Sequence, residues 1–228
     1  MPWSLGFTWQ DVVALAWFLG CWIGYTLFAD HRYAAFGLMR ATARHRFGWM
    51  KRMLDRENRI VDTTIVGTMS NSVSFFAQTS IFILGGLIAI LGAQEQVRDV
   101  IADVPFAAVA TGASWEAKIA LLIVIFVYAF FKFTWSLRQF NYQLVLIGAA
   151  PLPGTVDAAT ADDFVRRAAR MGDLAVSHFN VGIRAYYFGL AALAWFINSW
   201  LFVAASAWVV LVLWRREFRS NTLAALKD

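Results

Sequence analysis

The sequence predicts an all-α membrane protein: a helical bundle of four apolar segments, with two amphipathic helices between them. Three observations carry this. Sixty per cent of the residues are hydrophobic and only 15% are charged, against about 25% charged in a soluble domain. The charges cluster, leaving apolar stretches near the ~20 residues that cross about 30 Å of hydrocarbon. Eleven Trp and twenty Phe stand among 228 residues, and Trp is enriched where amphipathic rings meet the headgroup layer. The length suits one membrane domain spanning residues 1–228.

The first apolar segment runs from about Val12 to Phe28. No basic region precedes it in MPWSLGFTWQD, so it is expected to be retained and not cleaved as a signal. Phe36, Met39, Ala43, Phe47, Met50 and Leu54 then recur at steps of three and four, which predicts an amphipathic helix over about 35–57. The second apolar segment covers about 65–91, and the third about 119–140. PLPG at 151–154 breaks the chain. Thr160 and Asp163 resemble a capping box ahead of a second amphipathic helix over about 161–180. The last apolar segment, 181–214, carries Asn198-Ser199 near its middle. Either it is one tilted helix or it is a hairpin with arms of about 16 residues, roughly 24 Å each.

Lys and Arg in the loops set the expected orientation. None precedes Val12, eight lie between the first two apolar segments, and the stretch after the second is acidic. The next loop carries Arg166, Arg167, Arg170 and Arg184. The N-terminus is therefore expected outside and the two basic loops in the cytoplasm. Arg215, Arg216, Arg219 and Lys227 pull the tail to the same inner side, which favours the hairpin and leaves the side of the C-terminus open. The amphipathic helices either lie flat on the anionic inner leaflet or pack against the bundle.

Two polar constellations stand out. Thr64, Gly67, Asn71, Ser74 and Gln78 form one small-and-polar stripe along the second apolar segment. It reads as a helix–helix seam, because small residues admit close backbones and amides bond across the contact; the other reading is a pore lining. Asp62 at the start of that segment complements the helix dipole, with Arg59 as its expected partner or as a phosphate ligand. In the third segment, Lys132, Ser136 and Gln139 share one face, and Thr134, Arg138 and Asn141 an adjacent one. With Lys118 as the outer end, Arg138 falls about 30 Å inward, at the inner boundary. Lys132 falls about 21 Å inward, at the edge of what a lysine stem bridges by snorkelling. Lys132, Arg138, Asn141, Arg184 and Arg59 are the candidate cytoplasmic site for an anion or lipid headgroup; the alternative is a polar cluster joining helices.

Several classes are disfavoured. The net charge of +5 is distributed around apolar segments, which points to anionic lipid and away from nucleic acid. Cys21 is the one cysteine, so no internal disulfide and no Cys-based metal site is expected. His31, His45 and His178 have no metal-ligand spacing, and no zincin, nucleophile-elbow or phosphate-loop motif is present. No cofactor is expected.

NRIVDTTIVGTMSNSVSFFAQTSIFILGGLIAILGA (58–93), AFFKFTWSLRQFNYQLVLIGAAP (129–151), FNVGIRAYYFGLAALAW (179–195) and WVVLVLWRREFRS (208–220) resemble an uncharacterised integral-membrane family of bacteria and plants, domain of unknown function 599. The resemblance covers most of 9–226. It implies a multi-pass protein of the bacterial inner membrane and supplies no activity or mapped site. The expected function is a non-enzymatic structural or accessory role, through self-association or docking on other membrane subunits. The alternative is a homo-oligomeric channel or small-ligand transporter leaning towards anions.

Overall fold

The computed structural model describes residues 8–29, 37–93 and 112–226, and among these every regular element is helical. In order they are α1 (Trp9–Leu27), α2 (Leu38–Leu54), α3 (Ile60–Gly92), α4 (Gly112–Gly148), α5 (Ala158–Leu193), a 3₁₀ turn (Ala194–Phe196), α6 (Ser199–Phe218) and α7 (Asn221–Ala225). Helices α1, α3 and α4 are long and apolar enough to cross a membrane. Residues 35–36 of the expected first amphipathic helix, with His31 and Lys227, lie outside the described residues.

Local chemistry explains the boundaries. Thr8 and Asp11 cap α1 reciprocally: the Asp11 amide donates to Thr8 Oγ1 at 3.3 Å, and the Thr8 amide to Asp11 Oδ2 at 3.0 Å. This satisfies two of the orphan donors of a helix start. Gly154, in the PLPG break, has φ of 76°, a region glycine enters at little cost. The expected cap of the next helix is corrected: the carboxylate of Asp157 accepts from the Thr160 amide at 2.7 Å, so Asp157 is the cap. That bond holds the Asp157 carboxyl below its ordinary value. Asp163 instead reaches Arg167 within the helix, at 3.0 Å.

One further boundary differs from expectation and one agrees with the hairpin reading. The second amphipathic helix does not stop at 180: α5 runs unbroken to Leu193, since no proline interrupts it and the isolated Gly182 is tolerated where it packs on Phe133. The segment 181–214 is therefore not one element. The break falls at 194–198, where Asn198 Oδ1 accepts from the Trp200 amide at 2.7 Å. Beyond it α6 folds back on the end of α5. Trp195 stacks on Phe202 near the turn, and Arg216 donates to the Tyr187 hydroxyl at 3.0 Å further along.

The chain divides into two compact units. The first takes 8–29, 79–93, 112–129 and 183–216 of the described residues. Its core is aromatic: Phe18, fully buried, meets Trp22, Phe188 and Phe202. Phe126 stands edge-on to Tyr186, whose hydroxyl bonds Ser80 at 2.9 Å. Gly189 admits the Phe126 ring, since a Cβ there lies 3.1 Å from it.

The second unit takes 37–78, 130–182 and 217–226. Here α2 and the first part of α5 bury one side each. Met50 and Met53 are fully buried, as are Ala168 and Ala175, and Gln143 of α4 donates to the carbonyl of Ala168 at 3.4 Å. Both helices thus pack on protein. The inward face of α2 is rotated from the predicted one: Phe47 is 42% exposed and Met53 takes the expected place of Leu54. Phe133 is stacked on Phe76 and tilted against Phe179, under Gly182, where a Cβ would come within 2.5 Å of the ring.

Candidate functional site

The second unit holds an open, shallow groove of about 400 Å³ between α2 and α5, called the cavity below. Arg40, Ala43 and Arg46 stand three apart on α2, and Arg170, Asp173 and Ser177 follow at three and four on α5, so each helix turns one row of side chains to the cavity. Arg46 Nε donates to Asp173 Oδ1 at 2.6 Å. That bond uses one edge of the guanidinium fork. Arg46 Nη2 is buried and has no hydrogen-bond partner. Arg40 and Arg170 are exposed at the rim, and Met39 and Leu174 supply apolar wall. Three guanidinium groups against one carboxylate leave the cavity with an excess of positive charge.

Around it the second unit is tied by further polar contacts. Asp62, fully buried, accepts at Oδ1 from the Trp49 indole at 2.6 Å and from Arg56 at 2.7 Å. The expected Arg59–Asp62 pair is therefore replaced. Arg59 donates to the carbonyls of Ala150 and Pro151 and closes the loop after α4, which removes it from a headgroup site. Ser136 Oγ donates to the Ala175 carbonyl at 2.6 Å.

The predicted anion-site residues are described one by one. Lys132 is half-buried, while Arg138 and Asn141 are exposed. Arg138 bonds the Tyr142 hydroxyl at 2.6 Å and lies on its ring. Arg184 belongs to the first unit, 7% exposed, over the Tyr25 ring. In the stripe, Thr64, Asn71 and Gln78 are exposed, while Gly67 and Ser74 are half-buried. The buried face of this part of α3 is Val66, Val73 and Ala77. The expectation that Asn71 and Gln78 are buried within the chain is overturned; Gln78 Nε2 reaches only to Ser74 Oγ on its own helix, at 3.5 Å.

The first unit contains a network that sequence reading missed. Asp11 Oδ1 accepts from the Trp195 indole at 2.8 Å and from Ser199 Oγ at 2.6 Å. Lys118, 4% exposed, donates to the Trp195 carbonyl at 2.9 Å and lies over the Trp195 and Phe196 rings. Lys118 is therefore turned to protein at this end of α4. The signal available was an acid in the first turn of an apolar helix and a lysine in the first turns of another. Among the described residues no group of three or more His, Cys, Asp or Glu is placed to hold a metal. His45 is exposed, and His178 lies near Trp135.

Three apolar spanning-length helices with many large apolar side chains turned outward, Phe82 at 78% exposure among them, define the class: an all-helical protein suited to a membrane. Residues 13–222 match the family described as Protein of unknown function, DUF599, and the chain belongs to that family. No curated protein and no solved structure matches it.

Proposed function

We propose that this is an integral protein of the bacterial inner membrane, without catalytic chemistry, serving a structural or accessory role by association with a second copy of itself. The observation that carries the reading is the outward edge of α3. Thr64, Asn71 and Gln78 are exposed on a helix whose composition suits hydrocarbon. An amide facing acyl chains loses its hydrogen bonds. A second α3 edge restores them, and Gly67 and Ser74 let two backbones approach. The basic α2 and the arginine-bearing start of α5 are assigned to the cytoplasmic side by the distribution of Lys and Arg.

The test is the copy number of the full chain in lipid nanodiscs, with N71L/Q78L beside the parent. The parent is expected to hold more than one copy. The double variant should dissociate roughly tenfold more readily, from interhelical bonds of about 0.6 kcal/mol each. A single copy in the parent sinks the proposal, as does unchanged assembly in the variant. Liposome flux separates the channel alternative: the accessory reading expects none, and anion flux lost in Q78L would replace it.

A further inference from the structure

We propose that the Arg40–Arg46–Arg170 cavity binds a phosphate-ester anion, with a phospholipid headgroup as its source. Arg46 is the anchor of the cavity. Its Nε is taken by Asp173, so the carboxylate fixes the plane of the guanidinium. The Nη2 left over is buried without an acceptor on a side chain that is 11% exposed and lines the cavity. Nη2 shares the Nε edge and is closed off from the groove, so its part is to hold the guanidinium in one plane with Asp173; an oxyanion that reaches the group meets a pre-set donor geometry. Arg40 and Arg170 add charge at the rim, one from each helix, so an anion entering meets cations on two sides. Asp173 does not cancel them: one carboxylate faces three guanidinium groups.

The walls favour a lipid over a free ion. About 400 Å³ is far more than one phosphate occupies, and the remainder is bounded by Met39 and Leu174, which suits a glycerol backbone and the root of an acyl chain. The exposed Phe47 on the same helix extends apolar surface from α2. This proposal rests on the membrane class of the protein but not on self-association, since none of its residues lies on α3.

The experiment is native mass spectrometry of the full chain released from detergent, titrated in separate arms with short-chain phosphatidylglycerol, short-chain phosphatidylcholine and inorganic phosphate. R40Q/R170Q alters only exposed side chains and is checked for parental melting. Phosphatidylglycerol should be retained over phosphatidylcholine. The double variant should weaken it about 25-fold, from about 1 kcal/mol for each arginine facing an anionic headgroup. Retention of inorganic phosphate alone, lost in the variant, keeps the anion site and reassigns its source. Equal retention of both lipids without phosphate binding overturns the proposal, as does unchanged retention in R40Q/R170Q. Parental copy number in that variant separates this result from the test of α3.

Discussion

The two units treat buried charge in opposite ways. In the first, the groups of Lys118 and Asp11 converge on one residue: Trp195 accepts from the lysine at its carbonyl and donates to the carboxylate at its indole. Ser199 and the Thr8 amide complete the acid. In the second, the accounts stay open. Arg46 keeps a buried donor without an acceptor, and Asp62 keeps an oxygen in the same condition. A closed network fixes the helices that share it, whereas an open one retains capacity for something outside the chain. The contrast teaches that buried charge by itself does not mark a site.

The largest way to break the comparison is D11A. It strands the Trp195 indole and Ser199 in a buried place, where bonds to a charged group are each worth about 1.5–3 kcal/mol and are not additive. A cost of about 3 kcal/mol is expected, a fall of roughly 6–12 °C in the melting temperature for a chain of this length. Melting within about 1 °C of the parent would show that the network is not a clasp. Next is G182A, which asks whether the second unit is open throughout or only at its arginines. The added methyl meets the buried Phe133 ring, held by Phe76 and Phe179. Overpacking should cost about 2 kcal/mol, read from denaturant unfolding. A neutral result would mean that the aromatic core yields.

The smallest effect concerns Asp157. Its carboxyl lies below the ordinary value because it accepts from the Thr160 amide. Such a depressed group contributes stability that is full above its unfolded value, near 3.8, and is lost as pH falls through the lowered folded value. Hydrogen exchange at the first turn of α5 should therefore quicken only in acid. In D157A it should be fast at neutral pH, and pH-independent protection in the parent would remove Asp157 as the cap.

The helices and the turn near Asn198-Ser199 were legible because apolar length and breakers are local properties of the chain. The direction of α3 was not. Val66, Val73 and Ala77 repeat at steps of seven and four, Thr64, Asn71 and Gln78 at steps of seven, and in an apolar helix both faces look alike in periodicity. Asp157 was hidden behind the better-patterned Thr160–Asp163 pair. The arginine cavity needed Arg46 and Asp173, 127 residues apart, and nothing in sequence spacing joins them.

The most direct measurement of self-association is cysteine cross-linking in native membranes, on a Cys21→Ser background. Single cysteines replace Thr64, Asn71 and Gln78, with the exposed Phe131 and Trp208 as controls. Chain-to-chain products confined to the three α3 positions are the predicted result. Equal yields at the control positions, or no product on α3, would contradict the account.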